Sequence, residues 1–188
     1  MSASETSPDS TASPDSDLVI TGVREALDQA IRRLAAAGAR DEALAEYVDG
    51  RKLLGLTRPP VLRPVARAWR LGALMLGRDG TLYATGAIVR AHEAGVRNYQ
   101  SQSAEDRRDL RAAALRGKFA PGETVNHAWS VLDLTMPGLQ AGAGPVFLAP
   151  DGTVRVRWNA ALGDGASREL VAYVDERVGL LVDPLDIP

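Results

Sequence analysis

The chain has no cysteine among its 188 residues. That excludes disulfides, thiolate zinc sites, iron–sulfur clusters and cysteine nucleophiles. Staples are not required at this length, since a domain of about 170 residues buries roughly 70% of its unfolded surface. No apolar run reaches the roughly 18 residues of a membrane span. The first seventeen residues lack Lys and Arg as well as any apolar stretch, so no secretory leader is expected and the expected location is the cytoplasm. Also missing are a G-x-S-x-G nucleophile elbow, a G-x-G-x-x-G turn, a phosphate loop ending in Lys-Ser/Thr and an H-E-x-x-H metal motif. The two histidines, His92 and His127, stand far apart in the chain. With Glu93 they could be drawn together as metal ligands, but no ligand spacing supports this, and neither a metal nor a cofactor is expected.

What is present is an ordinary globular composition, 45% apolar, with charge distributed in blocks. Residues 1–50 carry 4 Lys/Arg against 10 Asp/Glu, residues 51–118 carry 14 against 5, and residues 119–188 carry 4 against 9. Arg51, Lys52, Arg58, Arg63, Arg67 and Arg70 fall in a twenty-residue stretch without a single acid. Such asymmetry points either to an anionic partner or to acidic flanks that fold back and neutralise it.

Residues 1–16 repeat Ser-Pro-Asp-Ser and read as a disordered acidic tail. Residues 17–188 then form one α+β domain, with a helical hairpin over 17–57 and a sheet-containing core over 65–188. Val23, Leu27, Ile31 and Leu34 make one apolar helical stripe that Gly38 is placed to end. Asp41 can cap a second helix with Leu44, Tyr47 and Val48 inward. The stretch from Gly38 to Tyr47 resembles the helix turn of a tetratricopeptide repeat, as a single copy. Pro59, Pro60 and Pro64 form a connector. A long hairpin over 65–76 and 81–92 is expected around Asp79-Gly80, with Leu71 facing Ile88 and Trp69 facing Arg90. On its other face Ala66, Ala68, Gly72, Ala87 and Ala91 suggest a helix lying close. A helix begins at Ser103 and ends at Gly117. A strand runs from Thr124 to Leu134, and a Gly-rich loop from Pro137 to Gly144. A second hairpin spans Val146 to Trp158 around Asp151-Gly152, and Ser167 caps a last helix through Leu170, Val174 and Val178. Trp69, Trp129 and Trp158 all read as core. The expected order, αα-ββ-α-βββ-α, has a mostly antiparallel sheet of about five strands flanked by helices. In element order it is similar to roadblock, longin and profilin-like domains.

The polar run from Arg97 to Ser103 leads into a helix N-terminus, where free amides favour an anion. Arg97, Asn98, Gln100, Ser101, Arg107, Arg108 and Asn126 are therefore candidate ligand-binding residues. The plainer reading is a solvated loop with a helix cap. Ser101 or Ser103 with His127 and Glu123 or Asp133 would supply a nucleophile, base and acid. Gly142 to Pro145 precedes a strand and reads as a plain loop. Lacking a catalytic motif, the sequence favours a non-catalytic binding or regulatory module that acts through protein contacts or as a homodimer. Two alternatives stand beside it. One is a small hydrolase or transferase centred on 97–103 and His127; the other is an anion or nucleic-acid binder using 51–70. Arg67 and Arg70 fall on opposite faces of a strand, which argues against nucleic acid, and no membrane partner is expected.

Overall fold

The apolar stripe of residues 23–34 does form a helix, α1 (Pro14–Ala36). Val23, Leu27, Ala30 and Leu34 are buried on one side of it. It ends where Gly38 turns left-handed (φ 62°) and Ala39 N–H reaches back to Leu34 O at 3.0 Å, the hydrogen bond of a glycine-terminated helix. The computed structural model describes residues 14–50, 52–53, 56–92 and 102–183. After α1 the chain forms β1 (Glu42–Val48), a short ribbon of β2 (Lys52–Leu53) and β3 (Leu56–Thr57), and β4 (Val61–Leu71). Next come β5 (Leu74–Gly77), β6 (Leu82–Ala84), β7 (Ala87–Arg90), α2 (Gln102–Arg116), β8 (Thr124–His127) and β9 (Ser130–Val131). The last part holds α3 (Met136–Ala141), β10 (Val146–Leu148), β11 (Val154–Arg157), a 3-10 segment over Ala160–Ala166, β12 (Ser167–Glu169) and α4 (Leu170–Val182).

The mixed α/β class holds, but the expected order and five-strand count do not. The second helix of the expected hairpin is strand β1, and with it falls the likeness to a tetratricopeptide turn. Glu-Ala-Leu-Ala-Glu favours a helix locally. In the fold, however, this segment lies between β4, antiparallel, and β8, parallel. Ala43, Leu44 and Ala45 are all buried, so both faces are covered and no period-2 alternation is left to see. Pro64 belongs to β4 rather than to a connector. It sits at a bulge where Leu44 pairs with Ala66 and Ala45 with Pro64, skipping Val65. A proline is tolerated there because the ladder is already broken.

The seven-stranded sheet runs β7-β8-β1-β4-β5-β6-β9, and its two ends are joined by the chain itself. Only Thr85 and Gly86 separate β6 from β7, and only Ala128 and Trp129 separate β8 from β9. Three Cα steps reach about 11 Å, whereas five strand spacings in an open sheet come to about 24 Å. The sheet therefore curls until its ends meet. The pairing agrees: Tyr83 and Ala84 face Val131 and Ser130, while Ala87 and Ile88 face His127 and Asn126 in the same register. The result is a small barrel whose last wall is one bent pair, β6–β7 against β8–β9. Leu44, Ala68, Met75 and Tyr83 are buried inside it, with Ala66 and Trp129 packed on them. The Trp129 and Tyr83 rings pack T-shaped with their centres 5.2 Å apart, and the Trp129 indole N–H donates to Ala45 O at 3.0 Å.

This geometry corrects the long hairpin. The chain reverses first at Gly72 (φ 68°), so Leu71 pairs with Leu74 and Trp69 with Leu76. Asp79-Gly80 makes the following turn, between β5 and β6. Ala66 and Ala68 face the barrel interior, opposite Leu44 and Gly77 respectively, not a helix. Ala91 does lie in the cluster under α2. The Asp-Gly-Thr turns repeat each other in three dimensions. Gly80 and Gly152 have φ of 85° and 81°, and Asp79 and Asp151 each accept the N–H of the threonine two residues on at 3.0 Å.

Outside the barrel, α2 covers one part of the wall. Gly117 lets it approach, since a Cβ there would lie 1.9 Å from Leu62 O. Helices α1 and α4 share a larger core with Trp69, Leu71, Leu74 and Leu76 of the wall and with Val146, Val154 and Val156 of the sheet β10-β11-β12. Three further expectations are corrected here. The segment read as a Gly-rich loop contains α3, capped by Thr135 and closed by Gly142 in the left-handed region. Ser167 starts β12 and caps nothing; α4 begins at Leu170. Trp158 follows the end of β11, escapes the strand alternation and is 47% exposed. Residues 1–13 of the polar tail and most of the 97–103 run lie outside the described residues, whereas Pro14 to Ser16, expected to be disordered, open α1.

Candidate functional site

Strand alternation places Arg67 and Arg70 on opposite faces of β4, and β1 begins beside both. Asp41 and Glu42 accordingly divide between them. Arg67 donates to Asp41 Oδ1 at 2.7 Å and to Glu123 Oε1 at 2.8 Å, and Arg78 donates to Asp41 Oδ2 at 2.8 Å. Arg70, on the inner face, donates to Glu42 Oε2 at 3.0 Å and to Asn126 Oδ1. Asn126 closes the ring, its amide donating to the same Glu42 oxygen at 2.8 Å and to Ala43 O at 3.2 Å. Asn126 is fully buried, so this ring of three side chains stops one end of the barrel with its polar atoms satisfied.

At that end opens a cleft of about 770 Å³. It is lined by Arg40, Arg67, Arg70 and Arg90 against Asp41, Glu42 and Glu123, with the turn of residues 120–124 as one bank. Mouths of barrels are common ligand sites. Arg90 forms no ion pair among the described residues, and Arg40 acts on Glu123 through space only. The ionised forms of Asp41, Glu123 and Arg67 are favoured. Burial pushes Asp41 upward, but hydrogen bonds from Arg67 and Arg78 outweigh it and hold the carboxyl below its usual range. The hydrogen bond from Arg67 holds Glu123 low as well, and Arg67 itself is driven further up by Glu123 and Asp41.

The residues singled out from the sequence scatter. Glu123, Arg67 and Arg70 line the cleft, and Asn126 lies buried behind it, bonded to Arg70 and Glu42. Arg97, Asn98, Gln100 and Ser101 lie outside the described residues, as does the side chain of Ser103. Arg107 lies on α2 in a shallow groove with Ile88, Val89, Arg90, His92 and Leu110, and Arg108 is half-buried on the same helix. His127 alternates with the inward-facing Asn126 and so lies on the outer face of β8. It is 8% exposed, its Nε2 meets no partner among the described residues, and burial pushes its pKa down. Neither carboxylate proposed for it serves it: Glu123 holds Arg67 and the Ala120 N–H, and Asp133 accepts the Thr135 N–H at 2.9 Å. Among the described residues no three histidine or acidic side chains gather as metal ligands. Compared with protein-family models, curated proteins and solved structures, the chain matches none of them.

Sequence reasoning missed Arg40, Asp41, Glu42 and Arg90 as site residues. Their signal was present in the charge blocks. Arg63, Arg67 and Arg70 of the acid-free stretch each pair with an acid from a flanking block, namely Glu46, Asp41, Glu42 or Glu123. Among the described residues no helix is long and apolar enough to cross a membrane.

Proposed function

We propose that the protein is a non-catalytic binding module whose recognition surface is the arginine-lined mouth of the barrel, and that it takes an acidic segment of a protein partner there. The observation that carries this reading is the imbalance at the cleft: four guanidinium groups face three carboxylates, with Arg90 unpaired among the described residues. Arg67 is 48% exposed. Its acids Asp41 and Glu123 are largely buried and stay paired with it, so a partner carboxylate binds at Arg90, which has no ion pair among the described residues, and at Arg40 beside it. Arginine suits the task because its planar fork binds carboxylates through two parallel hydrogen bonds.

The reading is tested by anisotropy titration of a fluorescein-labelled hexaglutamate peptide with the full chain. The expected result is saturable binding that weakens at least about tenfold when Arg40 and Arg90 are both changed to Glu, and that weakens as salt rises. A peptide of neutral glutamine that binds equally well, or an affinity unmoved by the charge reversal, would sink it.

A further inference from the structure

A second cleft, of about 720 Å³, lies away from the barrel mouth, between α4, the Gly72 turn and the loop after α3. Among the described residues two arginines line it, Arg157 and Arg177, and no carboxylate does. Arg157 is held rigidly. Its guanidinium lies 3.9 Å over the Phe147 ring, donates to Gly142 O and Gly144 O at 3.2 and 2.7 Å, and pairs through Nε with Asp164 at 2.6 Å. Arg177 differs. It lies 5.1 Å from the centre of the Tyr173 ring, makes no ion pair among the described residues, and its Nε is buried without an acceptor. Tyr173 cannot supply one, because its hydroxyl is already spent: it takes the Ala73 N–H at 2.9 Å and donates to Leu71 O at 3.0 Å.

A desolvated guanidinium N–H without an acceptor is costly, and a planar anion is the group that relieves it. Ala73, Ala84, Pro145, the Tyr173 ring and the half-exposed indole of Trp158 make an apolar and aromatic wall; the polar groups beside it are already engaged, the Thr85 hydroxyl with Ala73 O and the Gly142 and Gly144 carbonyls with Arg157. That lining suits a ligand with one charged end and a flat hydrocarbon body, and it disfavours phosphate, whose oxygens would face carbon. We infer that this cleft is a binding site for a small aromatic carboxylate, with Arg177 holding the carboxylate and Trp158 stacking on the ring. The site shares no lining residue with the barrel mouth, and the inference does not depend on the function proposed above.

The test is calorimetric titration of the full chain with 1-naphthoate, with 1-naphthalenemethanol as its neutral counterpart and with inorganic phosphate. The expected result is one-site binding of naphthoate, at least about tenfold weaker in Arg177→Met and weakened in Trp158→Ala, with neither control binding. Trp158 is half-exposed, so its variant folds even where Arg177→Met does not. Three outcomes would overturn the inference: no heat from naphthoate at millimolar concentration, equal binding of the neutral alcohol, or preference for phosphate. Naphthoate affinity unchanged in the folded variants would do the same.

Discussion

Closure of the barrel leaves no room for a side chain at Gly86, and Gly86→Ala tests it. A Cβ at this position would lie 2.2 Å from Ala128 O, and 2.3 Å from both the Ala128 carbonyl carbon and His127 O. Ordinary contact needs about 3.5 Å, so two backbones would have to part by more than an ångström. They cannot part freely. The flanking pairs Ala84 with Ser130 and Ala87 with His127 hold the same two segments together, and Ala128 is itself left-handed (φ 55°). Overpacking costs about 1–3 kcal/mol, and one lost ladder hydrogen bond adds about 1 kcal/mol, so we expect a loss of about 3 kcal/mol. For a protein of this size that lowers Tm by roughly 6–12 °C. Gly152→Ala is the contrast: it meets no atom within 4 Å but has a positive φ, which Gly86 does not, and it should cost about 1 kcal/mol through strain alone. Thermal unfolding followed by circular dichroism measures both. A Gly86→Ala protein as stable as the Gly152→Ala protein would mean that β6–β7 and β8–β9 do not form the bent wall described.

Two further predictions concern charge. Asp41 and Glu123 have folded pKa values below their ordinary ones, so their pairing with Arg67 stabilises the fold above the usual carboxylate range and is lost as pH falls through it. Stability should therefore drop below about pH 4, and Arg67→Gln should flatten the Tm-against-pH profile there; a profile of unchanged slope would contradict the pairing. The basic segment should not bind nucleic acid, because Arg63, Arg67 and Arg70 are each neutralised by an acid; a gel shift with duplex DNA at micromolar protein in about 0.15 M salt should show no complex, and a salt-sensitive complex would refute this.

Legibility in the sequence followed the range of the forces involved. Helix α1 and its Gly38 stop, the stripe of α4 and both Asp-Gly turns are written locally, in spacing and in backbone conformation. Strand β1 is not: Ala43 to Ala45 favour a helix, and only neighbours brought by β4 and β8 make them a strand. Barrel closure is not legible either, since it depends on a bend shared by Gly86 and Ala128, 42 positions apart. The small face of Ala66 and Ala68 was visible, but its meaning depends on which side closes. The cleft was half visible. Arg67 and Arg70 stood out as charge, whereas their partners come from 26 and 56 positions away in the case of Arg67. Asn126 stood out only as a polar residue beside a histidine, and its role in the ring with Glu42 and Arg70 is tertiary.

The proposal that the barrel mouth recognises an acidic segment is tested most directly by amide chemical-shift mapping on the 15N-labelled full chain with unlabelled hexaglutamate. The predicted result is a contiguous set of perturbed amides at Arg40 to Glu42, Arg90, Ala120 and Gly122 to Thr124, residues that line the cleft, with Gly142 to Gly144 unmoved. Perturbations centred on the second cleft, or scattered over the surface without this cluster, would contradict it.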